Sequence, residues 1–334
     1  MSIERDEDVL MKVHILFPVD ENPRGGGNQF LKFLRTAFEN KGYYSDIRNA
    51  DVILFNSYQN ISNVIKTKML YPKKLYVHRV DGPIRLYNKM DDKRDFVTNT
   101  TNKYIADATV FQSKFSRKTN FELGMEKVEH ERLIYNATDR SIFFPGPARV
   151  LGEKLKIIST SWSNNINKGF DVYKYLDEHL DFNKYEFTFV GNSPCGFNNI
   201  NIIEPKNSVD LSKLLRKYDV YLSASQKDPC SNSVIEAMCC GLPVICRNDG
   251  GHPELIELGG AGRLFDRADE LADILKDVKK NYTRLIPRTD FLDINRAADE
   301  YIQFFEDLLH ETDGNRKKLS FGGYLAIKRT LNKI

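Results

Sequence analysis

Ten short apolar runs alternate with amphipathic stretches and fall into two series around Pro145-Gly146-Pro147, which restricts this chain to parallel sheets joined by crossover helices. The first series is Lys12 to Phe17, Asp51 to Phe55, Lys74 to Val80, Ala108 to Gln112 and Arg132 to Asn136. The second is Lys154 to Ser161, Glu186 to Val190, Asp219 to Ser223, Pro243 to Cys246 and Arg263 to Phe265. With 334 residues, 41% of them hydrophobic, the chain has length for two domains, and the proline-glycine segment is the natural boundary. The expected organisation is 1–147, 148–312 and a basic C-terminal helix over 313–334. Sheets of this kind take ligands at the carboxyl ends of their strands, so a cleft between two such domains gathers loops from both.

Composition removes several classes. A net charge of +3 is small against 49 basic and 46 acidic residues, so no nucleic-acid partner is expected. No apolar run approaches a membrane span, and the first residues lack the features of a signal peptide, so a cytoplasmic protein is expected. Of five cysteines, Cys230, Cys239, Cys240 and Cys246 cluster without CxxC spacing, and they read as reduced thiols in an apolar segment rather than a zinc site. The sole Asp-x-Asp, Asp6-Glu7-Asp8, lies in a charged stretch ahead of the first strand, so neither a metal nor a cofactor is expected.

The most informative stretch runs from Asp228 to Val244. It sets Asp228 and Glu236 eight positions apart around a loop-to-helix junction, then stops the helix with Gly241 and Pro243. Asp228 precedes a proline and is expected to be extended. The start of a helix presents unpaired amides and partial positive charge, which suits a diphosphate, while carboxylates beside it accept hydrogen bonds from sugar or ribose hydroxyls. Spacing alone fits equally well with Asp228 as a helix cap and Glu236 on a solvated face.

The rest of the chain bears on that choice. Gly25-Gly26-Gly27 follows the first strand, His78 lies near the end of the third, and Lys168 follows the first strand of the second half. The triplet lets backbone approach phosphate. As a dinucleotide fingerprint it fails, because Phe30 stands where a third glycine belongs, and a plain loop turn stays open. His78 opens the polar run His78-Arg79-Val80-Asp81-Gly82-Pro83, the kind of loop where α/β proteins put ligand contacts, and Asp81 either orients His78 or Arg79 or forms a turn.

On these residues the chain resembles the family 4 retaining glycosyltransferases, from about Lys12 to about Leu309. Asp228 to Val244 looks like that family's Glu-x7-Glu element with its Ala-Met-x-x-Gly-x-Pro-Val run, and the glycine loop, His78, Lys168-Gly169, Gly191 and Asn136 before Asp139 are lesser matches. The resemblance implies a GT-B fold, two Rossmann-like doubly wound parallel-sheet domains facing across a cleft. It implies that Glu236 binds ribose, Asp228 the transferred sugar, and Lys168 the diphosphate, received by the helix start at Ser231, Asn232 and Ser233. Gly25, Gly26, Gly27 and Gly191 would approach the donor, and His78 the sugar and acceptor.

The implied activity is metal-independent, retaining transfer from a nucleotide-diphosphate sugar to a hydroxyl of a glycan or lipid-linked acceptor. Trp162 stands where the family carries an arginine, so either Arg79, Arg247 or another group supplies the missing charge or turnover is weak. Asp228 is one methylene shorter than the usual glutamate, and Cys230-Ser231-Asn232-Ser233 replaces a glycine-containing run. A nucleotide-sugar epimerase of the same fold and a binding scaffold with a decayed site are the rival readings. The segment from Gly314 to Ile334 is basic and interleaved with apolar residues, so it either packs back on the first domain or touches anionic lipid.

Overall fold

The computed structural model describes residues 10–18, 26–312 and 314–334, so Gly25 and Asp6-Glu7-Asp8 lie outside the described residues. In the first half, β1 (Val13–Ile15), β2 (Val52–Asn56), β3 (Leu75–Val80), β4 (Ala108–Phe111) and β5 (His130–Leu133) form a parallel sheet in that order. An isolated parallel bridge between Val13 and Tyr44 lies on the free side of β1, with Val13 N donating to Tyr43 O and Ser45 N to Val13 O. Counting that bridge, the chain first steps outward from β1 and then crosses back to β2. The winding therefore reverses beside β1, the place where sheets of this kind leave a crevice for ligands.

The second half contains β6 (Leu155–Ser161), β7 (Tyr185–Gly191), β8 (Asn201–Ile203), β9 (Val220–Ser223), β10 (Val244–Arg247) and β11 (Arg263–Phe265), ordered β11-β10-β9-β6-β7-β8. Here the winding reverses between β6 and β9, which pair directly through Ile157 with Val220 and Ile158 with Tyr221. The loops leaving these strands carry Lys168 and Asp228. Strand β8 was not expected from sequence: its three residues, Asn201-Ile202-Ile203, are mostly exposed and pair only with β7.

The crossover helices are α1 (Gly26–Asn40), α2 (Ile61–Leu70), α3 (Ile84–Tyr87), α4 (Arg94–Ile105) and α5 (Lys114–Glu122) in the first half. In the second they are α6 (Phe170–His179), α7 (Ser208–Leu215), α8 (Asn232–Cys239), α9 (His252–Gly259) and α10 (Leu271–Lys280), followed by α11 (Ile294–Glu311) and α12 (Phe321–Leu331). Helix α1 buries Phe30, Phe33, Leu34, Ala37 and Phe38 at helical spacing. Those residues receive α11, with Phe38 and Tyr301 meeting edge to face at 6.4 Å. The chain thus returns to the first half at α11, ahead of the expected 313. Helix α12 packs on α4, where Ile327 is fully buried and a Cβ on Gly323 would come within 2.8 Å of Tyr104.

One apolar cluster runs from the first sheet through α1 and α11 into Val234, Ile235 and Met238 of α8. The halves are welded along the back and open at the front. No helix among the described residues is long and apolar enough to cross a membrane.

Candidate active site

A cleft of about 820 Å³ lies between the halves, at the carboxyl ends of both sheets. On its second-half wall, Asn165 caps a single 3-10 turn, Ile166–Lys168, by accepting from Asn167 N. Gly169 follows with φ +87°, and a Cβ there would lie 2.3 Å from the Ala224 carbonyl oxygen, so only glycine lets this turn press against the end of β9. Gln226 N donates to Asn167 O across the same seam. These contacts deliver Lys168 to the loop that carries Asp228.

That loop is equally constrained. Gly251 N donates to Asp228 O at 2.8 Å, and a Cβ on Gly250 would lie 2.3 Å from the same oxygen. Lys168 Nζ sits 3.0 Å from Asp228 Oδ2, a pair formed by residues 60 positions apart. Burial works against both charges. The Asp228 carboxylate and the Tyr87 phenol nonetheless hold the Lys168 ammonium above its ordinary range, and Lys168 with His252 holds Asp228 below its own. Lysine and aspartate are therefore ionised together.

Helix α8 begins beside this pair. Ser231 occupies its N-cap, yet the serine hydroxyl makes no capping bond; it pairs instead with Ser233 Oγ at 3.1 Å. The first-turn amides are left without a side-chain acceptor and carry the partial positive charge of the helix start. Ser231, Asn232, Ser233 and Glu236 all line the cleft. Asn232 Oδ1 is buried without a hydrogen-bond partner, an acceptor that a ligand hydroxyl would satisfy. Glu236 has no cation beside it, and burial alone pushes its carboxyl up to about 8.

The opposite wall starts with α1. Gly26 and Gly27 line the cleft, and a Cβ on Gly26 would lie 2.5 Å from Asn232 Nδ2, so two helix starts converge there. Gly191, at φ +128°, closes against Ser161 O and also lines the cleft. Tyr87, not singled out from the sequence, accepts from Asn167 Nδ2 at 2.5 Å through its carbonyl and places its ring 5.0 Å from Lys168 Nζ. Nothing in the sequence near Tyr87 signals that role.

His78 is not in the cleft. Strand β3 continues to Val80, so His78 lies inside a central strand whose six residues are all buried, and the strand end that reaches the cleft is Asp81. His78 stacks on Phe55 at 4.3 Å, with Nδ1 3.0 Å from Asn102 Oδ1 and Nε2 3.0 Å from Ser57 O. Burial lowers its pKa to about 4, so the ring is neutral. His78→Ala is expected to cost about 2–4 kcal/mol of stability, from the cavity and the orphaned carbonyl. An unchanged urea midpoint would contradict this structural assignment.

Neither arginine expected to replace the missing charge faces the cleft. Arg79 is 1% exposed and spends both terminal nitrogens on Asn56, Asp81, Gln112 and Asn136. Arg247 reaches toward Asp171 at 3.4 Å, away from the lining. Among the described residues there is no group of three or more histidine, cysteine or acidic side chains arranged to hold a metal ion.

Glu254 of α9 bridges the halves. Its carboxylate accepts from Lys114 N at 2.8 Å and Phe115 N at 2.7 Å, at the start of α5, and from Tyr135 OH at 2.8 Å. Charge-assisted bonds at a helix start are strong, so Glu254→Ala should speed amide exchange at Lys114 and Phe115 at least about tenfold. Unaltered protection by hydrogen-deuterium exchange would show that the bridge holds nothing.

The fold that frames this site is GT-B, with parallel sheets of five and six strands facing across a ligand cleft. Residues 195–291 match the family model for glycosyl transferases group 1. The spore coat protein SA of Bacillus subtilis (strain 168) is 35% identical over 83 residues, 24% of this chain and 21% of that protein. A probable sucrose-phosphate synthase of Thermosipho melanesiensis is 29% identical over 92 residues, 26% and 22%. These matches span about a fifth of the length of the curated relatives. Among solved structures, Anabaena HepE in complex with UDP-glucose superposes with TM-score 0.64 at 16% identity, covering 97% of this chain and 100% of that one. The sucrose-phosphate synthase of Thermosynechococcus elongatus gives TM-score 0.64 at 15% identity, covering 89% and 82%.

Proposed function

We propose that this protein transfers a sugar from a nucleotide-diphosphate donor to a hydroxyl of a glycan or glycolipid, with retention of configuration and without a metal. The observation that carries the reading is the ionised Lys168–Asp228 pair beside the uncapped start of α8, at the reversal point of the second sheet. As the glycosidic bond breaks, negative charge gathers on the departing diphosphate. Amides and an ammonium already in place stabilise it without reorganisation. Asp228 and the orphan Asn232 Oδ1 then accept from sugar hydroxyls, and Glu236 from the ribose. A donor captured in a homologous fold, as in the HepE complex with UDP-glucose, supports the donor class.

Transfer assayed with UDP, GDP and ADP sugars, with product analysed for anomeric configuration, tests the reaction. The assay run in EDTA tests the metal. Activity lost in chelator and restored by magnesium would overturn metal independence. Conversion of donor with no acceptor present would instead identify an epimerase. The exposed Lys328 and Arg329 on α12, with Lys333 just beyond its end, support contact with anionic lipid as part of the same proposal, measured by co-sedimentation with anionic vesicles.

Glu236 makes the donor affinity depend on pH. Ribose hydroxyls donate to the ionised carboxylate, so binding displaces the proton that burial retains up to about pH 8. Affinity for the nucleoside diphosphate should therefore strengthen as pH climbs toward 8, and Glu236→Gln should flatten the profile. Stability moves the other way. The folded pKa is raised, so this contribution is full below the ordinary value of 4.5 and is lost as pH rises through about 8. A flat affinity profile in the unaltered protein would contradict the ribose role.

A further inference from the structure

Trp162 is the single tryptophan of the chain, and it is 41% exposed inside the cleft instead of buried in either core. Its backbone is tied firmly. Asn192 Nδ2 donates to Trp162 O at 2.6 Å, Asn192 N to Ser161 O at 3.0 Å, and Ser161 Oγ to Ser163 O at 2.7 Å. The side chain is not tied. Among the described residues its indole N–H makes no hydrogen bond, and its ring stacks on no other ring and under no cation.

A large amphipathic ring held on a fixed backbone with an open face is a platform awaiting a planar partner. On the same wall as Trp162, the ends of β7 and β8 and the start of α7 line the cleft with Val190, Gly191, Pro205 and Val209 together with the polar Lys206, Asn207 and Ser208, and Gly191 pairs with Ser161 next to the tryptophan. Such a wall offers aliphatic contact to the face of a flat heterocycle and polar groups to its edge. We infer that Trp162 stacks on the nucleobase of the donor, so that this residue sets donor affinity through the base rather than through the diphosphate. The inference rests on the proposed nucleotide-sugar site and deepens it. It also accounts for a tryptophan at a position where a cation was expected.

The same residue reports on the experiment, because with excitation on the red edge, beyond tyrosine absorption, the emission of this chain is that of Trp162, its single tryptophan. Emission is followed while UDP, GDP and ADP are titrated in, with inorganic pyrophosphate as control, and calorimetry is run in parallel on the unaltered protein, Trp162→Phe and Trp162→Ala. Stacking on an aromatic platform is worth enough that loss of the ring should weaken nucleotide binding by roughly tenfold or more. The expected result is quenching by at least one nucleotide and not by pyrophosphate, a drop of that size in Trp162→Ala, and largely retained affinity in Trp162→Phe.

Nucleotide binding by calorimetry without any emission change, and with equal affinity in Trp162→Ala, would overturn the stacking role and leave the donor site standing. Quenching by pyrophosphate equal to that by nucleotides would assign Trp162 to the phosphates and overturn the base role. No binding of any nucleotide would overturn the donor site itself, and this inference with it.

Discussion

Lys168→Ala should lower kcat/KM for sugar transfer by roughly 100- to 1,000-fold, the scale of losing one preorganised donor to a developing oxyanion. The effect has two parts. The ammonium pairs with the Asp228 carboxylate at 3.0 Å, so its removal leaves an acid without its ion-pair partner facing an incoming diphosphate. Donor affinity falls by repulsion, and turnover falls because the leaving group loses its counter-charge. Combining Lys168→Ala with Asp228→Asn removes the stranded carboxylate and should recover part of the binding but not the turnover, a non-additivity that a double-mutant cycle reads directly. Lys168→Arg should not restore full rate, since a planar guanidinium cannot occupy the place of a compact ammonium above Tyr87. Steady-state kinetics with a saturating acceptor make the measurement, and activity within threefold of the unaltered protein would contradict the role.

A large loss of stability is expected at Arg79. Its guanidinium is sealed under the cleft floor, bonded to Asn56 Oδ1 and Asp81 Oδ1 at 2.6 Å, Asn136 Oδ1 at 2.6 Å and Gln112 Oε1 at 2.9 Å, with Phe30 4.7 Å from its centre. Arg79→Leu strands Asn56, Gln112 and Asn136, each nearly sealed from water, and leaves Asp81, 27% exposed at the cleft, without its cation, so the loss should approach the roughly 3 kcal/mol of breaking one side of a buried ion pair. The network also reaches across the halves, because Asn136 Nδ2 donates to Cys230 O at 3.2 Å just ahead of α8. Destabilising Arg79 should therefore loosen the donor loop. Urea denaturation gives the first quantity, and a loss under about 1 kcal/mol would show the network to be dispensable.

Much of this architecture was legible in the residues. Every apolar run read as a strand overlaps one, because central parallel strands are buried on both faces and announce themselves as continuous runs, as in Val52–Asn56 and Val220–Ser223, although β5 lies at His130–Leu133 and not over the expected Arg132 to Asn136. Strand β8 escaped because an edge strand of three residues buries too little to need an apolar signature. The glycine stops and the helix after Asp228 were visible for local reasons of backbone geometry. Contacts between distant segments were not. Lys168 and Asp228 meet because β6 and β9 are neighbours, and strand order is a tertiary fact that periodicity does not encode. Glu254 meets Lys114 across 140 positions for the same reason. His78 failed more locally: the polar run after it suggested a loop, but β3 runs two residues further, and buried arginine and histidine are tolerated there because Asn56, Asn102 and Asn136 satisfy them.

The central claim is that a nucleoside diphosphate lands on the start of α8 with Lys168 as its counter-charge. A crystal structure with the diphosphate bound tests it most directly. The account predicts phosphate oxygens within hydrogen-bonding reach, about 3 Å, of the first-turn amides of α8 and of Lys168 Nζ. Phosphate bound elsewhere in the cleft, with Lys168 still turned only to Asp228, would contradict it.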